Sequence, residues 1–264
     1  MSLLERELAV AIRAAEEAGR VLSEYAGRPL AVREKGKDQP VTDADLRANE
    51  RIHSILAEAF PDDGWLSEET ADSKDRLARE RVWVVDPLDG TKEFVQGIPE
   101  YCVSIGLVEG GLPRLGVCHN PARGEWFTGV VGRGARYNGK PSRVTDVRDL
   151  GRARILASRS EEARGEWDPF KDKLHVVLTG SVAYKLALIS AGLGDGTFSL
   201  TPKNEWDVCG GVALVLAAGG RVTDPEGGVL RFNREDTKLP GLVAANEALH
   251  RALLELVRGT GFGR

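Results

Sequence analysis

The chain has 264 residues and 28.6 kDa, with 42% apolar and 29% charged residues, enough for one compact unit or two closely packed lobes. A net charge of −4 and a pI near 5.7 exclude a broad basic face for nucleic acid, and no apolar run approaches the roughly 18 to 20 residues that span a bilayer. Three widely spaced cysteines, Cys102, Cys118 and Cys209, form no Cys-x-x-Cys pair, so neither a disulfide framework nor a thiolate zinc site is expected.

The chain begins Met1-Ser2-Leu3-Leu4-Glu5-Arg6-Glu7, with acids where a signal peptide needs a basic start, and a cytoplasmic location is expected. Apolar residues at Leu4, Leu8, Ala11, Ile12, Ala15, Ala18, Val21 and Leu22 predict an amphipathic helix over 3–25. The polar stretch 33–40 reads as a loop. Thr42 then caps a second helix, with Asp45 three residues on as in a capping box. A turn at 60–64 leads into the short run Trp65-Leu66-Ser67 and the pair Glu68-Glu69. Strands are predicted at 82–85, 102–108, 112–117 and 125–130, with Gly110-Gly111 as a hairpin signal. The second half alternates: strands at 154–157, 196–200, 221–223 and 242–244, and helices at 182–191, 208–217 and 248–257. The fold class is therefore α+β with an α/β second lobe, divided into 1–147 and 148–264 within one catalytic unit.

Chemistry concentrates where these elements end. The β-branched run Trp83-Val84-Val85 stops at Asp86-Pro87-Leu88-Asp89-Gly90-Thr91, which places two carboxylates, a glycine and a hydroxyl at one corner. Hard divalent cations take oxygen ligands, and phosphates take backbone N–H groups at a helix start. Glu68-Glu69 and Asp207 likewise sit at the ends of apolar elements, where a carboxylate needs a partner. Helix capping explains a single acid of this kind. It explains neither the second aspartate nor the threonine of the 86–91 run. The four histidines stand alone, without metal spacing or a serine triad, and the Gly-x-Gly pairs lack dinucleotide spacing.

Glu68-Glu69, then Asp86-Pro-Leu-Asp-Gly-Thr-Lys-Glu-Phe94, then Trp206-Asp207 with Ala218-Gly219-Gly220 resembles the inositol monophosphatase superfamily, in order from about residue 5 to 258. That resemblance implies a layered α-β-α-β-α sandwich of the inositol monophosphatase and fructose-1,6-bisphosphatase type. It also implies a lithium-sensitive phosphomonoesterase that uses two or three Mg²⁺ ions. Glu68, Asp86, the Leu88 carbonyl, Asp89 and Asp207 match the metal ligands. Asp45 and Thr91 match the pair that activates water, Glu69 matches the acid beside the first metal, and Asp38 lies in a third-metal loop. Gly90 and Thr91 match the positions that hold the substrate phosphate.

The expected partner is a small phosphate ester, with neither nucleic acid nor membrane, and a homodimer stays open because dimers occur within the family. Thr91-Lys92-Glu93-Phe94, Ser158-Arg159-Ser160, Gly180-Ser181 and Lys185 resemble the 3′(2′),5′-bisphosphate nucleotidases more than the inositol phosphatases. Lys185 would suit a second phosphate, Glu205 would face a ribose or inositol hydroxyl, and Ser158 joins them as a substrate residue. The expected reaction is removal of the 3′-phosphate of adenosine 3′,5′-bisphosphate by metal-activated water, without a covalent intermediate. The alternatives are an inositol-1-monophosphatase, a broad sugar phosphatase that includes fructose 1,6-bisphosphate, or a non-catalytic protein that keeps the fold to bind a partner.

Overall fold

A computed structural model describes residues 4–28, 31–36 and 39–259. Its α-helices are α1 (Glu5–Tyr25), α2 (Asp43–Ala59), α3 (Thr91–Val95), α4 (Arg159–Ala163), α5 (Val182–Ser190), α6 (Glu205–Ala217) and α7 (Glu247–Gly259). They sandwich two sheets. The first has seven strands in sequence order, from Gly64–Ser67 to Lys140–Ser142; its first pair is parallel and the rest are antiparallel. The second has five, ordered His175–Leu178, Arg154–Ala157, Gly196–Ser199, Leu242–Ala245 and Arg221–Thr223.

The run Val82-Trp83-Val84-Val85 shows why the layers form. Trp83 and Val85 face the core under α1 and α2, while Val82 and Val84 face the core that holds α5 and α6. A strand buried on both faces is apolar at every position rather than at alternate ones. The second sheet repeats this arrangement. Leu156, Leu242 and Ala244 face α6, whereas Ile155, Val243 and Ala245 face α7 with Leu249 and Leu253. The order α1/α2, sheet, α5/α6, sheet, α7 is the five-layered sandwich expected.

Helix α6 lies at the centre because Gly210 and Gly211 leave room on two sides. A Cβ at Gly210 would come within 2.8 Å of Ser104 Oγ and 3.0 Å of the Ile105 carbonyl, and one at Gly211 within 2.5 Å of Leu186 Cβ. A side chain at Gly210 would lift α6 off the sheet and carry Asp207 with it, and one at Gly211 would push α5 away.

Several expectations change. The 33–40 stretch is not a plain loop: Arg33–Gly36 pairs antiparallel with Gln39–Val41. The strands Gly134–Tyr137 and Lys140–Ser142 were not predicted, although Asn138-Gly139, both at positive φ, marks their turn. Helix α6 begins at Glu205 rather than 208, which puts Asp207 inside its first turn. Among the described residues no helix is long and apolar enough to cross a membrane.

Candidate metal and active site

The parallel strands Gly64–Ser67 and Arg81–Asp89 end side by side, with Ser67 opposite Val85. Glu68 therefore emerges beside Asp86, its N–H bonded to the Val85 carbonyl at 3.3 Å. Asp86 and Asp89 are three residues apart, which in a regular strand would point them to opposite faces. A bulge prevents this: Asp86 pairs with Ser104 and Asp89 with Cys102, three steps against two. Both carboxylates consequently line one cavity of about 370 Å³. The corner at 86–91 thus begins as a bulged strand end.

The remaining acid arrives from far along the chain. Asn204 caps α6, and its N–H donates to Asp207 Oδ2 at 2.8 Å in a capping box that holds the carboxylate toward the cavity. Glu68, Asp86 and Asp207 each offer an oxygen, all within 4.8 Å of one another. Burial, then the charges of Glu68, Asp89 and Asp207, push Asp86 well above the usual carboxylate range. Burial with the charges of Asp89 and Glu68 pushes Asp207 up to about 8. Burial also raises Asp89, opposed by hydrogen bonds from Ser181 Oγ and the Ala183 N–H, both 2.6 Å from Asp89 Oδ2. Like charges gathered out of water are costly unless a cation shares them. The donors gathered here are carboxylates, an all-oxygen set that fits a hard divalent ion.

Beside the acids, Thr91 Oγ1 lies 3.0 Å from Asp45 Oδ1 and 3.1 Å from the Leu88 carbonyl. Asp45 Oδ2 accepts from Thr42 N at 2.8 Å and Thr42 Oγ1 at 2.6 Å, so the predicted capping box is present and also aims the acid at Thr91. A cap of this kind contributes about 1 kcal/mol. Burial raises the Asp45 pKa, opposed by the bonds from Thr42 and Thr91. Gly90, at φ +99, opens α3; a Cβ there would lie 3.0 Å from the Glu100 carbonyl and 3.2 Å from Ser181 Cβ.

Basic side chains line the same cavity. Lys185, Lys203 and Arg164 line it together with Ser158 and Glu161. Lys185 is fully buried, and its Nζ lies 3.9 Å from Glu161 Oε2, while Lys203 Nζ lies 2.9 Å from Glu161 Oε1. Burial alone would raise Glu161, but these two lysines bring it down to about 2. Burial lowers Lys185, and Glu161 opposes that effect. Glu161 and Lys203 were not foreseen; Lys203, four residues before Asp207 and just ahead of the Asn204 cap, was the signal available. Ser181, at φ +57, both caps α5 and fixes Asp89. A non-glycine residue held in that conformation beside an active site is characteristic of function.

The other expected residues divide. Glu69 is half-buried at the end of the Glu68 strand, its N–H 3.4 Å from Ser67 Oγ, outside the residues that line the cavity. Asp38 lies outside the described residues. Glu205 turns away from the cavity: it is fully buried and accepts from Asn233 N at 2.6 Å and Arg234 N at 2.9 Å. It therefore does not face a substrate hydroxyl. Trp206 packs against the core between the two sheets. His53 meets the Trp65 ring edge-on, His119 stacks on Trp126 and His250 pairs with Thr223, all structural contacts.

A sequence profile of the inositol monophosphatase family matches residues 3–260. The chain belongs to this family. It is accordingly a metal-dependent phosphoric monoester hydrolase. Inositol monophosphatase 3 of Solanum lycopersicum is 37% identical over 236 residues, covering 85% of this chain and 88% of that protein. Among solved structures, the Thermotoga maritima IMPase superposes with a TM-score of 0.87 at 28% identity, covering 97% of this chain and 98% of that one. CysQ from Bacteroides thetaiotaomicron, described as a bacterial member of the inositol monophosphatase family, gives 0.76 at 29%, covering 92% and 98%. These matches show the family and do not show the nucleotidase branch that Lys185 suggested.

Proposed function

We propose that the enzyme hydrolyses a phosphomonoester carrying a second anionic group, with the 3′-phosphate of adenosine 3′,5′-bisphosphate as the bond it cleaves. The observation that carries this reading is a cavity lined both by the clustered acids and by three basic side chains, Lys185, Lys203 and Arg164. Glu68, Asp86, Asp89, Asp207 and the Leu88 carbonyl would hold Mg²⁺. When bound, a pair of such ions neutralises the phosphate dianion, acidifies a water molecule and stabilises the departing alkoxide.

The chain supplies the rest. Thr91 Oγ1 takes a hydrogen bond from the attacking water and donates its own proton toward Asp45 Oδ1, a relay that starts from the 3.0 Å contact. Because Thr91 is engaged with Asp45, it serves the water, and the phosphoryl group passes directly to water. The Gly90 and Thr91 N–H groups cradle the phosphate oxygens, in space that only glycine leaves at position 90. Lys185, Lys203 and Arg164 then meet the second phosphate, with Glu161 opposing the effect of burial on Lys185.

The second reading is an inositol or sugar monophosphatase, favoured by the tomato relative's name. The two separate cleanly with purified enzyme and Mg²⁺. We expect kcat/KM for adenosine 3′,5′-bisphosphate to exceed that for inositol 1-phosphate at least about tenfold, the equivalent of about 1.4 kcal/mol. Lys185→Met and Lys203→Met should each lower that ratio through KM for the bisphosphate. A ratio below one assigns the enzyme to the second reading.

A further inference from the structure

Glu205 and the buried Arg76 are left without a task by the chemistry above, yet they meet on one short turn. Asp72 takes Arg76 in a bidentate pair, Nε to Oδ1 at 3.0 Å and Nη2 to Oδ2 at 2.7 Å. The same guanidinium donates to Asn233 Oδ1 at 2.8 Å and to the Arg234 carbonyl at 2.9 Å, and Asn233 Nδ2 returns a bond to the Arg76 carbonyl at 3.1 Å. From the other side, Glu205 accepts from the N–H groups of Asn233 and Arg234, while its own N–H donates to the Thr237 carbonyl at 2.9 Å. Asn233 is held at φ +59, a conformation that aligns the two N–H groups on one carboxylate.

The ends of this strap are informative. Residues 72–76 begin three positions after Glu69, and Glu205 lies two residues before Asp207 on the first turn of α6. The turn at 233–234 thus ties the segment behind one metal-binding acid to the helix start that carries another. Glu68 and Asp86 stand at the end of the first sheet and Asp207 on α6, each with an oxygen within 4.8 Å of the others, so any movement of α6 off the sheet changes the spacing of the three acids. A charged, fully bonded network on the far side of α6 resists it, since breaking it would strand buried charges.

We propose that Glu205, Asn233 and Arg76 are positioning residues that set the affinity of the metal site by fixing the spacing between Glu68 and Asp207. They touch neither the ions nor the substrate. The inference rests on reading the three acids as metal ligands, and the test keeps the two apart. Mn²⁺ alone is titrated calorimetrically into wild-type protein, Glu205→Gln, Asn233→Gly and, as a control, Leu253→Ala in the distant α7 core. Asn233→Gly keeps the positive φ and both N–H groups for Glu205 and removes the two bonds between the Asn233 side chain and Arg76, leaving Arg76 only the Arg234 carbonyl on this turn. Glu205→Gln sets an amide NH₂ against one of the N–H donors.

We expect the Kd for Mn²⁺ to rise about tenfold in both strap variants. It should stay at the wild-type value in Leu253→Ala even though that variant melts lower. Substrate KM at saturating Mg²⁺ should not move in the strap variants. Wild-type Kd in Glu205→Gln and Asn233→Gly would overturn the strap, as would an equal rise in the control, which would reduce it to general stability. Wild-type protein that binds no Mn²⁺ would overturn the metal reading instead.

Discussion

Asp86→Asn should lower turnover by at least about a thousandfold, roughly 4 kcal/mol of transition-state stabilisation, and at the same time raise the melting temperature of the metal-free protein. The two effects share one cause. Asp86 is buried and faces Glu68, Asp89 and Asp207, so without cations its charge has nowhere favourable to go. Asparagine keeps the shape and the Oδ1 acceptor for the Leu88 N–H, now at 2.9 Å, and removes only the charge.

The pH dependence of this gain has a definite sign. Asp207 titrates at about 8 in the folded chain against an ordinary value of 3.8. Between those values the folded state holds a proton that the unfolded state has released, so this contribution to stability is complete below 3.8 and is lost as pH rises toward 8. His250, lowered by burial to about 4 against an ordinary 6.5, works in the opposite direction only below 6.5. Between pH 6.5 and 8 the metal-free wild type should therefore lose stability to its acid cluster, and Mg²⁺ should restore more of it at pH 8 than at 6.5. Asp86→Asn should show a smaller loss over that window and little response to Mg²⁺. Melting curves in EDTA and in excess Mg²⁺ measure all four quantities. A variant that melts below wild type in EDTA at both pH values, or one with wild-type turnover, would remove Asp86 from the centre of the site.

Asp45→Asn should cost about a hundred- to ten-thousandfold in kcat, the range for losing a positioned base, and leave the Kd for Mn²⁺ unchanged. Its carboxylate does not belong to the acid cluster; it is reached through Thr91, and its second oxygen is committed to Thr42. The amide can still accept from Thr42, so the α2 cap survives and the loss is one of proton acceptance. Thr91→Ser, which keeps the hydroxyl, should retain most activity, and Thr91→Val should fall with Asp45→Asn. Steady-state kinetics beside metal calorimetry decides it. Loss of Mn²⁺ binding in Asp45→Asn would mean that this acid holds an ion, contrary to its assigned role.

What the sequence made legible follows from how local each signal was. Asp86 to Thr91 is a single short segment, so its acids, glycine and hydroxyl could be read together, and the Thr42–Asp45 box needed only three residues. The layered architecture was readable because antiparallel strand signals in the first half give way to alternating strands and helices in the second, and the five layers came with the family resemblance. Glu205 was misplaced for a geometric reason: successive helical residues turn about 100°, so positions 205 and 207 point to opposite sides of α6. Once the helix is known to start at 205, only one of those two acids can face the cavity. The Glu161 pairs with Lys185 and Lys203 join α4 to α5 and to a short ribbon about forty residues on, and no pattern within any one element announces them. The bulge between Asp86 and Asp89 was hidden because it is a property of two strands, visible only in how Ser104 and Cys102 pair with them.

Glu68, Asp86, Asp89 and Asp207 converge at the end of the first sheet, where we propose that they hold a pair of cations. Anomalous diffraction from crystals grown with Mn²⁺ tests it most directly. Two peaks about 3.5 to 4 Å apart are expected, with Asp86 bound to both and Glu68, Asp89 and Asp207 shared between them. Mn²⁺ peaks elsewhere on the molecule, with that corner empty in crystals of active enzyme, would contradict it.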